Sequence, residues 1–222
     1  MNEPISLSEK LYLLSIHPQK GGIVSAARTA SDYVIAGSLF LELYLSNNIR
    51  FERKRIVLLN SKSENKIHEF LLEKIARTDR NLKVGRWFNK FYFSLKHLRK
   101  IIQQNLSDKR IIRLQERRFL FIKWKSPVIM NHQVVSHFLD EVDKIVFKGS
   151  DLEEDIILIS MLQPAGLMRR VFSLKERRTE AKKRMTEMMI GNQSSTHSEA
   201  IEAVKAVSVA ITAATAAHHT VA

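Results

Sequence analysis

The chain has 222 residues, 45% of them hydrophobic and 8% aromatic, enough for one domain with its own core and too rich for a disordered chain. It contains no cysteine, which excludes a disulfide scaffold and a thiolate metal site and suits a reducing compartment. Thirty-six lysines and arginines against 23 acids leave a net charge of +13, so the surface seeks a polyanion: nucleic acid, anionic lipid or an acidic protein.

The first stretch, MNEPISLSEK, has acids and no cationic apolar leader, so export is not expected. Ser6 and Glu9 form an S-x-x-E capping box, and Leu7, Leu11 and Leu14 then recur at helical spacing. That helix stops near His17–Pro18, and Gly21–Gly22 turns the chain. Ser31 to Leu45 is apolar on nearly every side, which predicts a central helix with others packed around it. Gly37 inside it predicts a close helix–helix approach. NNIRFERKRIVLLN, Asn47 to Asn60, reads as a hairpin with a charged tip. A helix over Lys66–Arg77 follows, then one over Gly85–Leu106, which leads into the second hairpin. Residues 49–59 match residues 112–122 in apolar, basic and polar class almost throughout, each run following a Leu-rich helix. The match predicts a repeated helix-plus-hairpin unit, about 31–60 and 93–125.

From 133 to 217 the chain returns to helices. Gln133–Phe147 carries Val134, Phe138, Val142 and Ile145 on one stripe. Leu152–Leu162 is nearly continuous apolar helix, closed by Pro164 and Gly166, and Leu167–Met189 reads as one longer amphipathic helix. GNQSSTHS, Gly191–Ser198, is the clearest loop, with Thr196 and Glu199 capping an Ala/Val helix that runs to about Ala217. His218–His219 are expected to fray. The best apolar run, Ala206–Ala217, falls short of the ~20 residues of a span, so any membrane contact is expected to be peripheral. The fold class is mainly α: a compact single-domain helical bundle around a buried central helix, with two short β-hairpins.

Charge is unevenly placed. Between Asn81 and Asn131 stand thirteen bases and two acids, +11 of the chain's +13. Within this quarter Leu95, Leu98, Ile102 and Leu106 share one helix face, while Lys96, Arg99, Lys100 and Gln103 share another. Cations one turn apart can grip a single phosphate; an ordinary solvated face is the alternative. In ERRFLFIKWKSPVIMN, Phe119 to Ile122 are apolar on both faces of a strand. One face would cover the core. The other would meet a strand, a second subunit or a bilayer interface, where Trp124 and the snorkelling Lys123 and Lys125 fit. A strand buried on both sides is the alternative.

Catalytic patterns are missing: there is no G-x-S-x-G, G-x-x-x-x-G-K, H-E-x-x-H or dinucleotide glycine fingerprint. His132 and His137 are poorly spaced for a shared metal. The acids of DLEED, Asp151–Asp155, suit a helix N-terminus. The sequence therefore favours a binding protein over an enzyme, with no cofactor and no metal. Two readings compete: a peripheral membrane module, and a winged-helix-like nucleic-acid binder that tracks phosphates with the basic quarter. The apolar hairpin favours the membrane.

Collinear segments resemble the Golgi phosphoprotein 3 family of peripheral membrane proteins. Ser6–Leu14 resembles its first helix, AGSLFLELYLSNNIRFE (Ala36–Glu52) its central helix and hairpin, and RWFNKFYFSLKHLRKIIQQNL with RRFLFIKWKSP its tryptophan-led basic helix and second hairpin. DLEEDIILISML and the Ala/Val helix follow in the same order. The resemblance implies a helical domain on the cytosolic membrane face that binds phosphatidylinositol 4-phosphate. It carries the family's two arginines of the basic helix onto Lys96 and Arg99, with Lys100 beside them. The family's pocket tryptophan falls near Ala27–Arg28, where Arg28 would supply a cation, and a further family arginine falls on Ala36. The second hairpin, through Arg117, Arg118, Phe119, Phe121 and Trp124, is implied in membrane contact or self-association. Binding of protein tails is compatible with this. The family's basic N-terminal arm, which engages the vesicle coat in eukaryotic members, has no counterpart, so a prokaryotic or divergent member is expected.

Overall fold

The computed structural model describes residues 4–78, 81–191 and 197–219. Helix α1 (Leu7–Ser15) opens on the expected capping box: Ser6 Oγ accepts from the Glu9 N–H, and Glu9 Oε2 accepts from the Ser6 N–H. A short helix α2 (Ser25–Arg28) leads to α3 (Ser31–Leu45), buried from Tyr33 to Leu43. Three elements enclose it: α1, the long helix α5 (Val84–Asp108) and the last helix α10 (Ser198–His219). Gly37 lies directly against α10. A Cβ there would stand 2.5 Å from Val207 Cγ1 of α10, so only glycine lets the two helices pack at this distance. Phe40 is fully buried and its ring faces those of Phe88 and Phe91 on α5.

Helices α3 and α5 each run into a two-stranded antiparallel hairpin. The first pairs β1 (Ile49–Glu52) with β2 (Arg55–Leu58), and the second pairs β3 (Ile112–Phe119) with β4 (Ile122–Ile129). Helix α4 (Lys66–Ala76) lies between the two units. The helix-then-hairpin order is as expected, but the residue-by-residue match fails beyond the first strand. The first chain reversal falls at Arg53–Lys54, with φ of 49° and 62°; the second falls at Leu120–Phe121, four residues later in the matched frame, with Leu120 at φ 52°. Sequence class could not reveal this, because strand length is set by how far the pair projects from its support.

Only the base of the second hairpin meets the core. Ile112 and Ile129 are buried, and the Met130 N–H closes on Ile111 O. Further out the expectation of one face on the core fails. Phe119, Leu120, Phe121 and Ile122 are 66%, 70%, 95% and 67% exposed. They cap a tip that projects beyond the helices, so both faces are free of the core.

After the hairpin come α6 (His132–Lys148), α7 (Glu153–Met161), α8 (Met168–Val171) and α9 (Lys175–Gly191). On α6 the buried stripe runs through Val135, Phe138, Val142 and Ile145, with Val134 only half-buried. The single amphipathic helix expected over Leu167–Met189 is two helices. Phe172 leaves the helical conformation and turns into the core, where its ring meets Phe147 edge-on, and Arg178 Nη1 donates to the carbonyls of Phe172 and Ser173. Of α9 only Ala181 and Met185 are buried. The loop over Gly191–Ser198, with Thr196, falls largely on 192–196, outside the described residues. Helix α10 continues through His218–His219 instead of fraying there. Its span Ser198–Ala217 is long and apolar enough to cross a membrane, longer than the run counted from sequence, yet 44% of that window is buried inside the protein. Ala203, Val204, Val207 and Ile211 form its core face.

Two buried carboxylates tie the elements together. Glu42 of α3 accepts from the Ser8 N–H at 2.6 Å and lies 2.8 Å from His68 Nε2 of α4. Glu9, 2% exposed, accepts from Lys109 Nζ at 2.7 Å, fastening α1 to the end of α5. A buried carboxylate needs such partners because desolvation otherwise disfavours its charge.

Candidate anion-binding cleft

An open cleft of about 1160 Å³ lies between the C-terminal half of α5, the loop before α2 and the second hairpin. Five cations line it from three elements: Arg28 at the end of α2, Arg99 and Lys100 of α5, and Lys123 and Lys125 of β4. The period of two along a strand brings Lys123 and Lys125 to one face. Trp124, 47% exposed, also lines the wall, as does one acid, Glu116. The floor depends on glycine. Gly21 sits at φ 68°, and a Cβ there would stand 2.8 Å from Pro127 O and Val128 Cγ2, while the Gly22 N–H donates to Pro127 O. That contact closes one end of the cleft against β4.

Arg99 is already engaged. Its Nη1 donates to Asp32 Oδ1 at 2.8 Å, with the two side chains 32% and 25% exposed. Asp32 stands in the first turn of α3, where the helix dipole favours a carboxylate. A planar guanidinium has five N–H donors, so Asp32 orients Arg99 and leaves donors for a ligand. One turn on, Gln103 Nε2 donates to Tyr12 Oη at 2.6 Å. Burial pushes the Tyr12 phenol up to about 12, against the opposing pull of Gln103 and Arg99. Among the described residues, only Arg99 and Lys109 of the thirteen bases between 81 and 131 form ion pairs.

Of the residues singled out from sequence, Arg28, Arg99, Lys100 and Trp124 come together at this cleft. Lys96 is exposed one turn before Arg99 and is not among the lining residues. Lys96 and Arg99 therefore do not share this cleft, whose cations come from three elements. Arg117 Nη2 donates to Lys20 O and braces the hairpin against the loop, and Arg118 Nε donates to Leu120 O at the tip. Phe119 and Phe121 stand at the tip itself. Sequence reading missed Asp32 and the cleft-side position of Lys123 and Lys125, because each depends on how the hairpin folds back along α5. Strand alternation was the one available signal for the two lysines.

Among the described residues, no group of three or more His, Asp or Glu is placed to hold a metal ion. The acids at the start of α7 are engaged locally: Glu153 accepts from Tyr44 Oη, Glu154 pairs with Lys10, and Asp155 accepts from Ser150 Oγ.

No curated protein matches the chain significantly. The family model described as Golgi phosphoprotein 3 (GPP34) matches residues 7–211, from the first residue of α1 to the last buried turn of α10. With that match covering the central helix, both hairpins and the cleft, the chain belongs to the Golgi phosphoprotein 3 family.

Proposed function

We propose that this protein docks reversibly on the cytosolic face of an anionic membrane and holds a phosphorylated headgroup, of the phosphatidylinositol 4-phosphate type, in the cleft beside α5. One observation carries the reading: five cations from three elements converge on an open cleft whose hairpin wall ends in four exposed apolar side chains. From Trp124 to the tip is three residues, roughly 10 Å of strand. Interfacial segments bury ~5–10 Å into the headgroup and acyl boundary. With the tip at that depth, Lys123 and Lys125 stand level with phosphates. Arg99, held by Asp32, offers its remaining guanidinium donors, and Arg28 and Lys100 add charge from the other walls.

Each basic residue near an anionic surface contributes about 1 kcal/mol, so affinity has to come from several at once. Lys96 adds to this field from outside the cleft. A nucleic-acid wing would present polar side chains, whereas this tip is Phe-Leu-Phe-Ile. The function is binding, with no reaction assigned to it.

Co-sedimentation with neutral, anionic and phosphatidylinositol 4-phosphate vesicles tests the reading, beside a duplex-DNA shift at matched salt. Wild type is expected to pellet with the acidic vesicles. Lys100→Glu with Lys123→Glu, both exposed and free of the core, is expected to stay in the supernatant. Tight DNA binding with indifference to every lipid would overturn it.

A further inference from the structure

We propose a second membrane contact, resting on the reading above: the outer face of α5 from Arg86 to Lys100 lies on the same anionic bilayer, with Phe93 as its interfacial anchor. Arg86, Lys90, Phe93, Lys96 and Lys100 recur at i, i+4, i+7, i+10 and i+14, which places them along one side of the helix. All five are exposed, and Phe93 is 92% exposed although it lies mid-helix. No acid occurs on α5 before Asp108. The result is a cationic strip about 21 Å long with one aromatic at its middle. Charge complementarity matches it to anionic headgroups, and the ring suits the interfacial zone beneath them.

The second hairpin places the strip beside the first contact. Its base is tied to the end of α5, where the Ile111 N–H donates to Leu106 O. From there β3 folds back along the helix, since Leu114 and Glu116 share the cleft with Arg99, Lys100, Gln103 and Gln104. Ile112 to Leu120 covers roughly 26 Å of strand. Leu106 back to Phe93 covers roughly 20 Å of helix. The apolar tip and Phe93 thus lie at similar distances from one base, on neighbouring sides of the cleft. Two anchors flanking a headgroup cleft fix the orientation of the protein on a surface, which one hairpin alone does not.

The chain has no cysteine, so single-cysteine variants can carry an environment-sensitive fluorophore without further engineering. Phe93→Cys, Phe121→Cys and, on the exposed face of α9, Lys182→Cys are labelled and mixed with phosphatidylserine-containing vesicles. The proposal expects a blue shift at 93 and 121 and none at 182. A shift at 121 with position 93 remaining aqueous overturns the second contact and leaves the headgroup reading standing. No shift at either, together with no co-sedimentation, removes both. A shift at 93 with duplex DNA but not with vesicles assigns the strip to nucleic acid and also overturns it. In unlabelled protein, Arg86→Gln with Lys96→Gln is expected to weaken vesicle binding roughly thirtyfold, from about 1 kcal/mol per lost cation. Unchanged affinity contradicts the proposal.

Discussion

The hairpin tip offers the sharpest separation of binding from stability. Phe121 is 95% exposed and stands at a chain reversal beyond the core, so folding does not depend on it. Immersing a Phe side chain stabilises the docked state by about 2 kcal/mol, and an Asp in its place adds repulsion from anionic lipid of about 1 kcal/mol. Phe121→Asp should therefore weaken binding to phosphatidylinositol 4-phosphate vesicles by about 3 kcal/mol, more than a hundredfold. Surface substitutions of this kind change stability by within about 0.5 kcal/mol, so the urea midpoint should hardly move. Trp124→Ala should cost less, because Trp124 is 47% exposed and has less free surface to bury on docking. The measurements are a vesicle titration by co-sedimentation and a urea denaturation curve on each variant. Undiminished vesicle binding by Phe121→Asp would refute membrane insertion. A large drop in the urea midpoint would refute the claim that the tip lies outside the core.

Three further outcomes follow from the interior. Gly37→Ala gains about 1 kcal/mol of helix propensity but drives a Cβ to 2.5 Å from Val207 Cγ1, an overpacking cost of about 1–3 kcal/mol. It should destabilise the fold, and Val207→Ala should partly rescue it in a double-mutant cycle of urea curves. Lys109→Met leaves Glu9 buried without its counter-ion and should cost roughly 3 kcal/mol by the same measurement. The Tyr12 phenol is held at about 12 in the folded protein, so the folded state keeps a proton that the unfolded state releases above about 10. That contribution, up to about 3 kcal/mol, is present below pH 10 and lost as pH rises from 10 to 12. Tyr12→Phe should flatten this part of the stability–pH curve.

Local patterns fixed much of the architecture. The capping box at Ser6 and Glu9, the all-round apolar run of α3, the two-faced α5 and both hairpins were legible because helix caps, side-chain periodicity and turn residues act over a few positions. So was the concentration of charge between 81 and 131. The break at Phe172 was not legible, since a phenylalanine at helical spacing satisfies the pattern equally well whether the helix continues or the ring turns inward. Nor was the fate of Phe119 to Ile122. A continuous apolar run reads the same on a core strand as on a projecting tip, and only the length of the β3–β4 pair beyond its buried base decides between them.

The cleft lies furthest from sequence. Arg28, Arg99, Lys100, Lys123 and Lys125 are separated by as many as 97 positions, and Asp32 is 67 positions from the guanidinium it orients. Composition determined that the protein carries excess positive charge, and periodicity determined which side of α5 bears its cations. Which cations share one site was decided by the hairpin folding back along α5 and by Gly21 letting the α1–α2 loop close against β4. Electrostatic attraction depends on distance through space, and that distance exists only once the chain has folded.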